Sequence, residues 1–407
     1  MRAPTPVLVG GDIGAYALMR AFHEAYGVRG VIVSRVETRA FAHTRLADQV
    51  IANVDDQDAL VTALEQIAAD RPDERLVLLT NADWYVERIA AARERLEARY
   101  EIPMCTAEQF ARVSDKAAFQ ADCVALGIPV PRTIAVSFSS GSPVPDASLD
   151  LLEYPVIGKP ASSAEFYYVD YPGKLKIHDL GGRDAVDALL ARLAASGFTG
   201  TYLLQEFIPG DETQMRSLTA YRDARGNVTM VVTGRVLLEE HTPGTLGVPA
   251  AILTEPYGDA MDAMSRYLDR VDYRGFANAD YKRDARSGRH VFFEVNPRIG
   301  RNNWYTTASG VNPATHVMAD LDGAPIMPVR GDRSVLYSVV PIPLLRRYLK
   351  ERALRQTVLA AAKRGVARPL HNPEDRSARR WLTITALTWN YWRKYLQYYP
   401  RATESGH

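Results

Sequence analysis

The fold is decided by residues 290–303, which read HVFFEVNPRIGRNN. The apolar run at its start predicts a β-strand, and alternate side chains of a strand share one face. Glu294 and Asn296 are therefore expected to point the same way, with Pro297 ending the strand just before Arg298. A carboxylate, an amide oxygen and a guanidinium are thus expected together at one strand end.

The segment before it, residues 275–280 (GFANAD), predicts a partner strand. The turn-like sequence RSGR at residues 286–289 indicates a hairpin, which would set Asp280 beside Glu294. Two carboxylates and an amide oxygen suit Mg²⁺, a hard cation that leaves its other positions to water and phosphate. An ordinary hairpin with exposed polar side chains is the alternative interpretation of each residue taken alone.

The composition predicts a soluble, cytoplasmic protein of two or three domains. The chain has 407 residues, of which 47% are hydrophobic and 24% are charged, and a single core rarely grows to this length. The N-terminus, MRAPTPVLVGGD, lacks a signal-peptide pattern, and no run of 18 apolar residues occurs in the sequence. Cys105 and Cys123 lack the spacing of a zinc or disulfide framework, so we expect both to be buried in the core.

Residues 1–113 are expected to form an α/β domain. Strand and helix patterns alternate, and three glycines (Gly10, Gly11 and Gly14) lie in the first strand-to-helix turn. The spacing is not GxGxxG, so a tight turn and close helix packing explain these glycines better than a dinucleotide site. Asn81 and Asp83 follow a later strand as candidate substrate contacts, and helix capping is the alternative for Asp83.

Residues 114–205 and 206–330 are expected to form the next two domains. Lys159 ends a short buried strand in YPVIGKP, where either a bound phosphate or a snorkelling side chain explains the lysine. The apolar strand LLQEF breaks at the Pro-Gly of residues 209–210. Its unpaired backbone groups are able to hydrogen-bond the edge of an adenine ring.

Residues 331–407 are expected to form a basic, aromatic-rich extension. Residues 344–407 contain 14 Lys or Arg and 4 Asp or Glu, which gives a net charge of +10, whereas the remainder of the chain is near −9. Residues 344–365 predict one basic helix, and residues 377–399 hold three tryptophans and four tyrosines. This second segment suits either an anionic bilayer surface or packing against the body, and the positive charge also suits a diphosphate-linked precursor. Nucleic acid is not an expected partner, because no recognised module accompanies the charge.

Five segments in order resemble the ATP-grasp superfamily: SDK at 114–116, YPVIGKP at 154–160, LLQEFIPGDE at 203–212, ANAD at 277–280 and FFEVNPRIGRNN at 292–303. The resemblance implies an α/β and α+β chain, in which an α/β pre-ATP-grasp domain precedes two α+β subdomains that clamp ATP. The implied ATP-binding residues are Lys116 and Lys159 for the phosphates, Gln205, Phe207 and Ile208 for adenine, and Glu212 for ribose. The implied ligands for two Mg²⁺ ions, or for Mn²⁺, are Asp280, Glu294 and Asn296. The implied catalytic residues, which steady the transferred phosphate, are Arg298, Lys159 and, as a weaker match, Arg235.

A narrower resemblance, to the ATP-grasp D-aspartate ligases of peptidoglycan synthesis, covers the chain to about residue 320. It rests on GGDIGAYALMRAFHEAYG, TNADWYVE, KPASSAEF and EVNPRIGRNNWYTTASGVN. It implies that the β-carboxylate of D-aspartate is activated and joined to the side-chain amine of L-lysine in a nucleotide- or lipid-linked stem peptide. Arg301, Asn302 and Asn303 are then expected to begin the substrate contacts. The loop after Lys159 departs from the wider superfamily, because it lacks a glycine-rich run.

The leading hypothesis is therefore an ADP-forming ligase that is cytoplasmic, with a peripheral contact at the inner membrane face. The same chemistry on another amino acid and acceptor is the first alternative. A non-catalytic ATP-binding regulator is the second, and the presence of Asp280, Glu294 and Asn296 disfavours it. The sequences GxSxG, HExxH and GxxxxGK[ST] do not occur, which removes support for hydrolase, zinc-protease and P-loop chemistry.

Overall fold

A computed structural model describes residues 2–161, 166, 169–175 and 177–403. The chain divides into two compact units. The larger unit comprises Met1–Ser114, Gly210–Arg283 and Glu294–His407, and the smaller unit comprises Asp115–Pro209 and Asp284–Phe293. The domain boundaries near residues 113, 205 and 330 remain predictions.

The N-terminal sheet of the larger unit has five parallel strands. They are β1 Pro4–Val9, β2 Gly30–Ser34, β3 Ala47–Ile51, β4 Arg75–Thr80 and β5 Tyr100–Glu101. The helices are α1 Ile13–Tyr26, α2 Gln57–Asp70, α3 Asp83–Ala91, α4 Arg93–Leu96 and α5 Ala107–Ser114. The spatial order is β3-β2-β1-β4-β5. The connection changes direction at β1, so the carboxyl ends of β1 and β4 flank the switch point where such sheets bind ligands.

The turn after β1 needs glycine at two positions. Gly10 has a φ of +111°, which an L side chain rarely adopts. A Cβ on Gly14 would lie 2.6 Å from the Cα of Arg301 and 2.5 Å from Nδ2 of Asn81. The structure therefore confirms the predicted tight turn and close helix packing.

The smaller unit is an antiparallel sheet with helices. Its strands, in the order β7-β6-β10-β8-β9, are β6 Thr133–Ser137, β7 Val144–Pro145, β8 Val156–Pro160, β9 His178–Leu180 and β10 Thr201–Glu206. Its helices include α6 Lys116–Ala125 and α7 Arg183–Ala195. Apolar residues of the sheet and α7 form one core, which includes Val136, Leu189 and Tyr202. The prediction about the phosphate-covering loop falls largely on residues 162–165, 167, 168 and 176, which lie outside the described residues.

The third sheet, which follows the smaller unit's sheet along the chain, has eight strands. They are β11 Met215–Arg222, β12 Val228–Glu239, β13 Pro249–Thr254, β14 Gly275–Arg283, β15 His290–Asn296, β16 Val329–Arg330, β17 Leu336–Ser338 and β18 Val366–Ala367. The order is β15-β14-β11-β12-β13-β17-β18, with β16 beside β12. The helices that follow these strands are α8 Gly258–Arg270, α9 Trp304–Ala308 and α10 Pro313–Leu321. The predicted neighbours β14 and β15 are confirmed, and they form one edge of the sheet.

The C-terminal extension contains three helices: α11 Ile342–Tyr348, α12 Arg352–Arg364 and α13 Ala378–Tyr398. The prediction of one helix over residues 344–365 is wrong, because the backbone is extended at Leu349 and Glu351. One face of α13 packs on the larger unit, where the buried Arg380 lies 2.9 Å from Asp375 and donates to the carbonyl of Ala42. For this face of α13, the structure therefore shows packing against the body of the protein. Within the described residues, no helix has the length and apolar character needed to cross a membrane.

Candidate active site

Two carboxylates and an amide converge where β14 and β15 lie side by side. The Nδ2 atom of Asn296 donates to Oδ2 of Asp280 at 3.2 Å and to the carbonyl of Asn278 at 3.3 Å. Burial and the neighbouring charge of Glu294 raise the pKa of Asp280 to about 7, and Arg298 opposes that shift. The hairpin thus brings together the predicted metal ligands Asp280, Glu294 and Asn296.

This donor set fits a hard divalent cation. Repulsion between two partly buried carboxylates is relieved by a cation between them, and the ligands offered are oxygens, which Mg²⁺ prefers. Across the described residues no group of three or more His, Cys, Asp and Glu side chains is arranged to hold a metal. A bound Mg²⁺ would therefore depend on Asp280, Glu294 and Asn296 together with phosphate and water oxygens.

Arg298 follows β15 and pairs with an acid from the first sheet. Its Nε lies 3.3 Å from the carboxylate of Asp83. The alternative that Asp83 caps a helix is wrong, because Ala82 is the N-cap residue and no side chain caps α3. Asp83 instead presents its carboxylate to the predicted phosphate-binding arginine.

Asn81 and Arg301 belong to one hydrogen-bonded network. Asn81 Nδ2 donates to Oδ1 of Asp12 at 2.9 Å, and Arg301 Nε lies 3.2 Å from Oδ2 of the same carboxylate. The guanidinium of Arg301 also hydrogen-bonds the buried carboxylate of Glu240. Sequence reasoning missed Asp12 and Glu240. Asp12 follows the glycine turn at the carboxyl end of β1, a position that favours ligand contact, whereas nothing local in the sequence distinguishes Glu240.

Asn302 and Asn303 lie in the interior. Asn302 Nδ2 donates to Ser217 Oγ at 3.1 Å, and Asn303 Nδ2 donates to the carbonyl of Gly14 at 3.0 Å. Their exposures are 3% and 0%. These amides stabilise the turn that carries Arg301. Direct contact with a substrate remains a prediction for both residues.

The smaller unit carries the two lysines predicted for phosphate binding. Lys116, Lys159 and Gln205 line one small pocket. Lys159 Nζ donates to Gln205 Oε1 at 3.0 Å, and Gln205 Nε2 donates to Thr133 Oγ1 at 3.0 Å. Asp115 caps α6 through the backbone N–H groups of residues 117 and 118, so Lys116 is fixed on the first helical turn.

The predicted adenine segment follows the end of β10. The strand stops at Glu206, and the N–H of Phe207 donates to the carbonyl of Pro155 at 3.4 Å. Ile208 is buried, and the chain leaves the smaller unit after Pro209. The strand thus ends three residues before the Pro-Gly break that the sequence predicts, and the role of its backbone in binding adenine remains a prediction.

Glu212, the residue predicted for ribose, is a buried acid of the larger unit. Its Oε2 accepts the N–H of Glu239 at 2.7 Å and lies 3.4 Å from Nε2 of His241. Burial raises the pKa of Glu212 to about 8, although the Glu239 N–H opposes the shift. Hydrogen-bonding groups supplied by a ligand would lower that pKa again.

Arg235 has a guanidinium neighbour that sequence reasoning missed. Arg216 is its cross-strand partner on β11, is 3% exposed, and has an Nε with no hydrogen-bond partner among the described residues. Burial and the charge of Arg235 lower the pKa of Arg216. Arg235 Nε donates to the carbonyl of Thr213 at 2.9 Å. Two adjacent guanidinium groups favour an anion, which supports the prediction of a phosphate contact for Arg235.

Comparison with known proteins shows similarity in sequence and in fold. Residues 190–317 match a protein family described as "Carbamoyl-phosphate synthase L chain, ATP binding domain". A D-aspartate ligase of Enterococcus faecium (strain Aus0004) is 28% identical over 413 residues, and the alignment covers 97% of this chain and 96% of that protein.

Two solved structures share the fold. The L-amino acid ligase from Bacillus licheniformis superposes with a TM-score of 0.55 at 13% identity, covering 80% of this chain and 74% of that one. The N5-carboxyaminoimidazole synthetase from Staphylococcus aureus complexed with ADP has a TM-score of 0.55 at 14% identity, covering 81% and 79%. These likenesses confirm the fold predicted from the sequence.

Proposed function

We propose that this ATP-grasp carboxylate–amine ligase attaches D-aspartate, or a related amino acid, to the lysine side-chain amine of a peptidoglycan stem-peptide precursor. One observation carries the proposal. The carboxylate pair Asp280 and Glu294 lies beside Asn296 and Arg298 at one strand end, in a chain that is similar to a D-aspartate ligase along 97% of its length.

The reaction requires an activated carboxylate, because a carboxylate is a poor electrophile toward an amine in water. In the proposed sequence, a substrate carboxylate oxygen attacks the γ-phosphorus of ATP and ADP leaves. The acceptor nitrogen then attacks the acyl carbon, inorganic phosphate leaves with the former carboxylate oxygen, and the nitrogen loses a proton. Phosphoryl transfer of this kind depends on positioning and on charge neutralisation more than on a covalent protein group.

The chain supplies these two requirements with its own side chains. Arg298 is held by Asp83, at 3.3 Å, and we expect its charge to meet the transferred phosphate. Lys116 and Lys159, the lysines predicted to bind the phosphates, line one pocket of the smaller unit. Mg²⁺, when bound by Asp280, Glu294 and Asn296, would neutralise charge on the phosphate oxygens.

A substrate screen tests the proposal. ADP release would be measured with D- and L-aspartate, glutamate, asparagine and alanine, each with a lysine-containing stem peptide, and the product mass would be determined. We expect turnover with D-aspartate and an adduct one aspartyl residue heavier. A peptide acetylated on the lysine side chain is the matched control and should give no adduct.

Two results would contradict it. Turnover with free amino acids as acceptors, and none with the stem peptide, would assign the chain to dipeptide synthesis. ATP binding without ADP release under every pairing would leave the non-catalytic regulator. In either case the similarity to D-aspartate ligases would reflect shared ancestry without the shared acceptor.

We also propose that the exposed face of α13 contacts an anionic bilayer surface. Trp381, Leu382 and Trp389 are each 61% exposed, and Leu396 is 53% exposed. Arg393 lies on the same exposed side of the helix. Tryptophan and leucine beside basic residues suit the boundary between headgroups and acyl chains, while the buried tyrosines hold the opposite face to the larger unit.

A further inference from the structure

A cavity of about 220 Å³ opens in the larger unit at the carboxyl end of β1. The turn Gly11-Asp12-Ile13, the side chain of Arg301, and residues 368–371 and 387–394 of the C-terminal extension line it. At about 30 Å³ per water molecule, the cavity would hold roughly seven waters. Its volume therefore accommodates a small metabolite of amino-acid size.

The charges around this cavity do not balance. The acids are Asp12 and Glu240, and both contact the Arg301 guanidinium. The cations are Arg301, Arg368 and Lys394. Glu240 does not line the cavity but pairs with Arg301, so two acids oppose the three lining cations and one positive charge is in excess, which favours an anionic ligand.

Arg368 provides most of that excess. Arg368 lines the cavity and makes no ion pair with any residue that the structure describes, and its Nη1 donates only weakly to the carbonyl of Val340, at 3.4 Å. Burial lowers the pKa of Arg368. Partial burial and the charges of Arg368, Arg20 and Arg376 lower the pKa of His371, which also lines the cavity, to about 4.

Lys394 is the second cavity cation whose charge is only partly neutralised by a carboxylate. Its Nζ lies 4.0 Å from Oε2 of Glu240, at the limit of an ion pair, and 5.1 Å from the ring centre of Tyr391. Tyr391 itself donates to Glu240 at 3.2 Å. Glu240 is therefore shared among several donors, and Lys394 is only loosely paired.

Two sets of polar contacts, one at the cavity and one at the strand end where phosphate chemistry is proposed, are connected through the backbone of residues 81–83. Arg301 contacts Asp12, and Asp12 accepts from Asn81. Asn81 precedes by two residues Asp83, which pairs with Arg298. Both sets of contacts lie at the carboxyl ends of β1 and β4, the switch point of the first sheet.

We infer that this cavity binds the donor amino acid, with the carboxylate that does not react held by Arg368 and Lys394, an inference that rests on the proposed function. A dicarboxylic amino acid carries two carboxylates and one ammonium group, so its net charge of −1 matches the excess positive charge of the cavity. The C-terminal extension then supplies donor-binding residues and is part of the active site. The sequence alone suggested membrane binding, packing on the body or attraction of a diphosphate-linked precursor for it.

Steady-state kinetics of Arg368→Gln in the full chain test the inference. We expect the KM for D-aspartate to rise about 10- to 100-fold, as loss of one charge-assisted hydrogen bond implies. The KM for ATP and for the stem peptide should stay within about twofold, and Arg368→Lys should recover part of the loss. Lys394→Met should raise the same KM. Arg364→Gln, an exposed arginine four residues earlier, is the matched control and should leave it unchanged.

Equilibrium dialysis of radiolabelled D-aspartate, in the presence of ADP and Mg²⁺, gives a second measurement that needs no turnover. Weaker binding by Arg368→Gln with an unchanged melting temperature supports the inference. An unchanged KM and unchanged dialysis overturn it while the wild-type ligase activity leaves the proposed function intact. A rise confined to the KM for the stem peptide also overturns it, because the cavity would then hold the acceptor. If the wild-type protein turns over no acidic amino acid, the proposed function fails first and the inference fails with it.

Discussion

Arg298 Nε lies 3.3 Å from the carboxylate of Asp83, and 215 residues of sequence separate the two. This ion pair ties the strand that bears Glu294 and Asn296 to the switch point of the first sheet. An arginine that must meet a transferred phosphate gains from being held in one orientation before the substrate arrives, since an ordered charge does not have to reorganise during the reaction. We therefore propose that Asp83 positions Arg298 for the transferred phosphate.

Replacing Asp83 by Asn should lower kcat by about tenfold, because the amide removes the charge that orients Arg298. The KM for ATP should change little, since Asp83 is not among the predicted nucleotide contacts. Steady-state kinetics with saturating substrates would measure the two parameters separately. Asp58→Asn is the matched control, because Asp58 is an exposed acid in the first turn of α2. Equal losses in both variants would contradict the positioning role.

Replacing Glu294 by Gln should reduce ligase activity by about 10² to 10³-fold, in line with the loss of one charge that stabilises the transition state. Folding should be retained, because removing one of two adjacent carboxylates relieves the repulsion that raises the pKa of Asp280. The measurements are ADP release, and Mg²⁺ titration of the melting temperature with ADP present. The wild-type protein should be stabilised by Mg²⁺, and the variant should not.

Glu87→Gln is a suitable comparison for that variant, since Glu87 is an exposed acid on α3. It should keep both the activity and the response to Mg²⁺. Normal turnover of Glu294→Gln with Mg²⁺ and ATP would show that the metal assignment is wrong. Loss of the folded state in Glu294→Gln would instead show that the carboxylate is needed for stability.

Glu212 makes the stability of the apo protein depend on pH. Its pKa is about 8 in the fold, against about 4.3 for an unfolded chain, so the folded protein keeps a proton that the unfolded chain releases. The contribution of this group is fully present below about pH 4 and is lost as the pH rises to about 8. Glu212→Gln cannot lose a proton, so its free energy of unfolding relative to wild type should increase from pH 5 to pH 8.

Guanidinium unfolding of both proteins at pH 5, 6, 7 and 8 would measure this difference. The same variant should bind ATP more weakly if Glu212 contacts ribose, so the gain in stability and the loss of affinity would appear together. Glu108→Gln, an exposed acid on α5, should show neither effect. A difference between Glu212→Gln and wild type that stays constant from pH 5 to pH 8 would contradict the assignment.

Local sequence patterns were sufficient for the hairpin and for the glycine turn. The alternation in HVFFEVN, the turn at residues 286–289 and the glycines after β1 each depend on neighbours a few residues away, and the structure has each of these features. The start of α6 was also predicted from adjacent residues: the helix begins at Lys116, and Asp115 is its N-cap.

Contacts between distant segments could not be predicted in this way. Aspartate is a residue type that often caps helices, and only the tertiary structure shows that Asp83 pairs with Arg298 instead. Glu240 meets Arg301 and Tyr391 from separate parts of the chain, so no sequence window contains the network. The break between α11 and α12 could not be predicted locally either. Residues 344–364 contain no proline or glycine, the residues that usually interrupt a helical pattern.

The exposed face of α13 predicts binding to anionic membranes. Flotation of the full chain with phosphatidylglycerol vesicles should recover it with the lipid, and phosphatidylcholine vesicles should recover much less, because Arg393 on this face favours anionic headgroups. Trp381→Ser combined with Trp389→Ser should abolish most of the binding, since both rings are 61% exposed and their loss leaves the buried tyrosines in place. Trp84→Ser is the matched control, because Trp84 is 55% exposed on α3, far from the extension in sequence. Equal flotation of the double variant and the wild type would show that these tryptophans do not bind lipid, and a shift of the wild type alone to a dimer in solution would assign the face to a second copy of the chain.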